Sequence, residues 1–415
     1  MHREIHGKDG TGRKGLGASM VDDTVIGGFA TLGGKHCWSA SVRSVLNFHG
    51  IKMSEEMIFG LSGGLSFIYW YGKGMPTPFV GGRYGKGNEP IADTFRRIGA
   101  TILVKETSSS TTATKDLMDS LKRGEPAIVF VDMAYLPYMM MPEDAHFGGH
   151  TIVVHGISGD GVTDVSDRSV VPFKLAISDL QKARGSKYPP FQPRNRILLP
   201  SYPDEISDLR LGIMDSISKS CDSMLDPPIG NFGLKGIRKW SSEVKRWPVN
   251  FRGMALFGCL LNLFIYIEVG GTGGGAFRSM YADFLDETSM ILKEPKLSTI
   301  ASEFRGCGRR WSAIAKAAMP EEWDSLAQAR HLIVKKNDLF ERQGPKARDK
   351  ISEINMELDR ELTGTIRAEF ESMDRTRSDR LMVELSEKII DLEKSEAVAF
   401  ISLREIIGNR SIDTM

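Results

Sequence analysis

The sequence predicts an α+β part followed by an all-α part. Three observations carry that reading: one amphipathic helix opens the first part, short β-branched runs broken by glycine, aspartate and proline fill it to about residue 200, and helical periodicity takes over after "LPSYPDE". At roughly 150 residues per domain, a chain of 415 residues has room for two or three domains. The expected division is a polar, loose arm over 1–24, an α+β domain over 25–200 and a helical domain over 201–415.

The arm, "MHREIHGKDGTGRKG", has no apolar stretch, so a secretory signal is not expected. From Cys37 the sequence runs "CWSASVRSVLNFHG", with Val42, Val45, Leu46 and His49 at i, i+3, i+4 and i+7 and Gly50 as the stop. Strands are expected at "TILV" (101), "AIVFVD" (127), "TIVVHGI" (151), "VTDV" (162) and "RILL" (196), with "SGDG" (158–161) as a hairpin turn. "SSSTTAT" (108–114) reads as a surface loop, and "FVGGRYGKG" (79–87) as a flexible basic loop. "FGLSGGLSFIYW" (59–70) reads as core packing.

Helical segments are then expected near 203–224, 232–246, 251–268, 276–293, 297–318, 321–342 and 347–407. The last of these aligns Ile351, Ile354, Leu358, Leu362, Ile366 and Phe370 on one face and continues through Leu381, Leu385, Ile389 and Leu392. Such a face packs onto the chain's own helices or forms a homodimer seam. The longest apolar run, 254–267, falls short of the ~20 residues a membrane-spanning helix needs and reads as a buried helix.

Charge excludes some functions. Lys and Arg number 54 against 53 Asp and Glu, so no global field advertises nucleic acid or an anionic membrane as a partner. Cys37, Cys221, Cys259 and Cys307 are far apart and form no CxxC pair, which argues against a disulfide framework or zinc knuckle and for a reducing cytoplasmic setting. No cofactor or metal is expected. His146 and His150 have HxxxH spacing, but the intervening Phe147-Gly148-Gly149 is not helical sequence.

Cys37 stands at or just before a first helical turn, where unpaired N–H groups and the positive end of the helix dipole favour a thiolate. Gly33 and Gly34 precede it and permit close approach of a ligand to the main chain. A base is offered by "HFGGHTIVVHGISGDGVTDVSDR" (146–168). His150 opens a strand and Asp167 follows the next one, so a hairpin brings carboxylate to imidazole, giving nucleophile, base and orienter. Asp164 is the alternative orienter. His155, of opposite parity on the same strand, faces away as an ordinary sheet histidine. Gly148 and Gly149 let a substrate or the cysteine helix approach His150.

"HCWSASVRSVLNFHGIKMSEEMIFGLSGGLSFIYW" (36–70), "YLPYMMMPEDAHFGGHTIVVHGI" (135–157) and "DRSVVPFKLAISDLQKARGSK" (167–187) resemble the N-terminal domain of the butirosin biosynthesis protein H family. "GNFGLKGIRKW" (230–240) and "IEVGGTGGGAFRSMYADFLDE" (267–287) are similar to the uncharacterised helical domain that accompanies it. The resemblance implies a papain-like cysteine-enzyme domain followed by the all-α domain. It implies transfer of an acyl group from a carrier-protein or CoA-type thioester, through a cysteine thioester, onto a small amine acceptor. It also places the nucleophile, base and orienting acid on Cys37, His150 and Asp167. The donor would carry a phosphopantetheine arm, and an acyl carrier protein would be a partner.

Many papain-like enzymes place a glutamine upstream of the cysteine as an oxyanion-hole donor, yet this chain has no Gln before Gln181. The Cys37 N–H supplies one donor, and Lys35, His36 or another main-chain amide a second. "GGTGGGAFR" (270–278) lacks the GK[ST] ending of a phosphate-binding loop and reads instead as a close interdomain contact, with Glu268 and Arg278 lining the cleft to grip pantetheine or acceptor. Part of 59–70 is a candidate acyl-channel wall, and 79–87 a contact for an acidic carrier. Two other readings stay open: a cysteine hydrolase with the same triad, and a non-catalytic binding module.

Overall fold

A computed structural model describes residues 23–413, apart from 84, 143, 204 and 207. The arm expected over 1–24 lies outside the described residues except for Asp23 and Thr24. The strands are β1 (Thr24–Val25), β2 (Leu65–Trp70), β3 (Phe79–Arg83), β4 (Thr101–Lys105), β5 (Ala127–Val131), β6 (His150–Ile157), β7 (Val162–Ser166), β8 (Phe173–Ala176) and β9 (Ile197–Ser201). Interspersed are α1 (Cys37–Phe48), α2 (Glu55–Leu61), α3 (Glu89–Arg97), α4 (Ser110–Lys122) and α5 (Ile177–Gly185). The remainder is helical: α6 (Leu209–Leu225), α7 (Gly233–Glu243), α8 (Trp247–Asn250), α9 (Met254–Phe264), α10 (Arg278–Leu292), α11 (Lys296–Ala318), α12 (Asp324–Gln343), α13 (Arg348–Thr363), α14 (Thr365–Glu371) and α15 (Arg375–Asp413).

The N-terminal region is thus α/β and the C-terminal half mostly helical. Its main sheet is antiparallel and seven-stranded, in the order β4-β9-β5-β6-β7-β8, with β1 pairing on β6. The core strands lie where β-branched runs predict them. β6 is buried along its whole length, as expected for a strand sandwiched between α1 on one side and the Leu117, Leu180 and Phe173 cluster on the other. The 158–161 turn closes the β6–β7 hairpin, Ser158 N–H donating to the Val162 carbonyl at 2.8 Å.

β2 and β3 form a separate two-stranded ribbon. The segment read as a flexible basic loop is therefore strand over 79–83. Its glycines suit a strand here because a Cβ on Gly82 would lie 2.6 Å from the Ala276 carbonyl oxygen. The Ser/Thr run is not a surface loop either. Ser110 begins α4, and the Ser109 side chain accepts from Thr112 N–H as the N-cap.

β2 carries residues 65–70 into the helical half. Phe67, Trp240 and Trp311 stack with centroids 5.6–5.8 Å apart, so one apolar core runs from α1 through β2 into α7, α10 and α11. The amphipathic C-terminal stretch is broken at Gly364 and again between α14 and α15. Leu381, Leu385, Ile389 and Leu392 of α15 are buried against this chain's own helices, which covers the face that suggested a homodimer seam. Among the described residues no helix is long and apolar enough to cross a membrane.

Candidate active site

Cys37 is the first residue of α1 and is buried, with 8% of its surface exposed. The helix lacks a cap of its own, since His36 at the N-cap makes no side-chain cap bond. Glu55, from α2, does that work: its carboxylate accepts from Lys35 N–H (2.9 Å), His36 N–H (2.8 Å) and Ser39 Oγ (2.8 Å). Burial pushes the Glu55 carboxyl up, opposed by those bonds. A buried carboxylate thus occupies the end of the helix that sequence reasoning left free for the thiolate.

The thiolate is favoured by the histidine instead. Burial pushes the Cys37 thiol up, but the charge and hydrogen bond of His150 outweigh it, helped by Arg83 and the Thr151 backbone, and bring it down to about 7. Burial pushes His150 down, and the Asp167 and Cys37 charges reverse this and raise it to about 10. His150 Nε2–H donates to Asp167 Oδ2 at 2.8 Å, which turns Nδ1 toward Cys37. Asp167 also accepts from Arg168 N–H (2.7 Å) and Tyr138 O–H (3.1 Å), and its carboxyl is held low despite its burial, mainly by the His150 charge.

The chain brings these groups together from three places. α1 packs on β6, where Ser41 Oγ donates to Thr151 Oγ1. The β6–β7 hairpin then delivers Asp167. Gly33 has φ +66° and its Cβ would meet the Arg168–Val170 backbone at 2.9 Å, while Gly34 N–H donates to the Arg168 carbonyl. The paired glycines therefore bring the cysteine loop against the aspartate loop rather than against a ligand.

The helical half holds both loops. Glu341, on α12, takes Lys35 Nζ at 2.6 Å and Arg168 at 3.0 Å, and its carbonyl accepts from Val170 N–H.

Other candidates separate from this cluster. Asp164 pairs with Lys174 at 2.5 Å and lies beside Gly156, so Asp167 alone of the two reaches His150. His155 stacks on Phe29, with centroids 4.5 Å apart, and burial lowers it to about 4. His146 donates from Nδ1 to Asp132 at 2.8 Å and stacks on Tyr188 at 3.4 Å, so HxxxH is not one site. No group of three or more potential metal ligands clusters among the described residues. Gly149 sits against the Phe147 ring, and Gly148 against the backbone of Phe191, so neither admits α1.

Arg278 does not line a cleft. It is fully buried, with Nε and Nη2 on Glu396 at 2.7 and 3.0 Å and Nη1 on the Gly82 and Ala276 carbonyls. An arginine in a glycine-rich turn suggests anion binding, but an intrachain glutamate far along the sequence already claims it. Glu268 does line a cleft, with Lys35, Gly271–Gly274, Asn337, Asp338 and Glu341, and its Oε1 is buried without a hydrogen-bond partner. The wall of that cleft touches the site, because His36 Nδ1 bonds the Gly271 carbonyl at 2.9 Å. Sequence reasoning missed Glu55, Tyr138 and Glu341.

A buried cysteine, histidine and aspartate thus form one hydrogen-bonded arrangement. Comparison with protein families agrees in its placement: residues 36–168, which contain all three groups, match the family described as butirosin biosynthesis protein H, N-terminal, and residues 178–341 match a domain of unknown function (DUF4872). Residues 36–168 are thus similar to the N-terminal domain of the butirosin biosynthesis protein H family, a match that suggests a biosynthetic enzyme. No curated protein matches the chain.

Proposed function

We propose that the protein is a cysteine-dependent acyltransferase that forms an amide, with Cys37 as nucleophile, His150 as base and Asp167 as orienter. The Cys37 thiolate attacks the carbonyl carbon of a carrier-protein or CoA-type thioester. The intermediate collapses as the donor thiol leaves with a proton from His150. An amine then attacks the Cys37 thioester, His150 takes its proton, and Cys37 departs as thiolate. Thioester to amide is downhill, so the cycle needs no nucleotide.

The observation that carries this reading is the buried Cys37–His150–Asp167 series with its depressed thiol. The layout adds support: a cysteine at a helix start, a histidine at the start of an antiparallel strand and an acid after the next strand are the placements that a papain-like enzyme would require. Near-complete burial favours an acceptor that excludes water. In this reading residues 25–200 carry the chemistry and 201–415 supply the facing wall, with Glu268 in the cleft toward the acceptor.

The test is the intact mass of wild type and Cys37→Ala after incubation with acyl-pantetheine thioesters. The expected result is a mass gain in wild type alone, discharged faster by amines than by water. Discharge by water alone would make the enzyme a hydrolase, and no adduct from any donor would favour a binding module.

A further inference from the structure

A thioester carbonyl under attack by Cys37 puts negative charge on its oxygen, and hydrogen-bond donors must already face that point. The Cys37 N–H has no acceptor among the described residues and serves as one donor. The candidates adjacent in sequence are spent. Lys35 N–H and His36 N–H both go to Glu55, and Lys35 Nζ goes to Glu341. His36 Nδ1 donates to the Gly271 carbonyl, so the buried, unpartnered Nε2 presents a lone pair rather than a proton. Burial, with the charge of Arg83, lowers His36 well below its ordinary range and keeps that ring neutral.

One cation at the site has no partner. Arg83, the last residue of β3, lays its guanidinium over the Trp38 ring, 5.7 Å from the centroid, beside the nucleophile. No hydrogen bond or ion pair ties it to any described residue. Other arginines are tied to acids: Arg278 to Glu396, Arg168 to Glu341, and Arg97 to Asp215, with the Leu61 carbonyl besides. The strand beneath Arg83 is pinned, since Arg278 bonds the Gly82 carbonyl at 2.7 Å and Gly82 abuts Ala276. A fixed strand, an aromatic platform and a cation without a counter-charge make an anion site beside a sulfur nucleophile.

We propose that Arg83 is a second oxyanion donor, its guanidinium and the Cys37 N–H together holding the oxygen of the tetrahedral intermediate. The inference rests on the acyl-transfer reading. As the Sγ–C bond forms, the carbonyl π pair moves onto oxygen opposite Arg83. As the donor C–S bond breaks, the pair returns and the thiolate leaves with the His150 proton. The same intermediate recurs when the amine attacks, so both half-reactions depend on Arg83.

Two measurements on wild type, Arg83→Gln and Arg83→Lys test this. In alkylation of Cys37, where Sγ displaces iodide, iodoacetate should gain on neutral iodoacetamide in wild type, and that ratio should fall about tenfold in Arg83→Gln. With an uncharged acyl-pantetheine donor, kcat for acylation should fall roughly 10²–10³-fold at nearly unchanged KM, with partial rescue in Arg83→Lys. An unchanged alkylation ratio in both variants, or a loss that appears only in KM and only for donors bearing a carboxylate, would overturn the proposal. If wild type accepts no donor, acyl transfer fails as a reading, while the alkylation ratio still decides whether Arg83 forms an anion site. Arg83→Lys keeps the charge and serves as the control for folding.

Discussion

Two histidine–aspartate pairs lie on the same stretch of chain, each at 2.8 Å, each with a tyrosine beside it, and they are built for different ends. In the first, Tyr138 donates to Asp167 and leaves one nitrogen of His150 facing a thiol. In the second, Tyr188 lies flat on His146, and Asp132 spends its oxygens on Ser186 Oγ, Phe147 N–H and Ala134 N–H. The pair alone is therefore not a site. What separates them is the third group: a cysteine in one case, a set of loop amides in the other. The second pair is a staple holding the turn that precedes β6.

The sharpest way to break this comparison is to truncate both histidines. His150→Ala should lower the acylation rate by roughly 10²–10⁴-fold, as expected for loss of a general base that also sustains the thiolate. His146→Ala should leave that rate near wild type and show its effect in thermal unfolding. Equal losses of rate would mean that both pairs take part.

Titration sharpens the contrast next. The Cys37 thiolate forms as pH rises through about 7 and the His150 imidazolium is lost as pH rises through about 10, so the ion pair is populated between these values. Acylation should follow a bell with limbs near both. Iodoacetamide should label Cys37 well ahead of Cys221 and Cys259, whose thiols burial pushes up to about 12, and of Cys307, pushed up further. In His150→Ala the midpoint for Cys37 should move up, because the burial that opposes ionisation remains.

The tyrosines give the smallest effects. Tyr138→Phe removes one of three donors to Asp167 and should cost about 1 kcal/mol of orientation, a several-fold drop in kcat. Tyr188→Ala should cost about 1 kcal/mol of stability from lost stacking and leave kcat unchanged. A kcat loss from Tyr188→Ala larger than that from Tyr138→Phe would overturn the division.

How much of this was legible in the sequence depends on how local each signal is. α1 and the β6–β7 hairpin read directly, because helix period, glycine stops and turn chemistry act within a few residues, and the structure brings Cys37 to the His150–Asp167 end of that hairpin. Arg278 reads as a cleft residue because its partner Glu396, 118 positions away, leaves no local signal. Glu55 reads as an ordinary first-turn carboxylate of α2, and only the packing of α2 on the start of α1 turns it into a cap. The β3 glycines signal a loop until the Ala276 turn that forbids a side chain is in view. Residues that support a site from a distance leave no periodic trace.

Glu341 closes the matter of what a functional unit is in this chain. It belongs to the helical half, yet it is the counter-charge for the loops on either side of the thiol and of Asp167. A fragment cut near residue 200 would leave Lys35 and Arg168 uncompensated, expose the Phe67 face of β2 and release the Arg278 tie on β3. Any replacement of the helical half would have to supply Glu341, Arg278 and the tryptophan stack together, because the first half leans on all three.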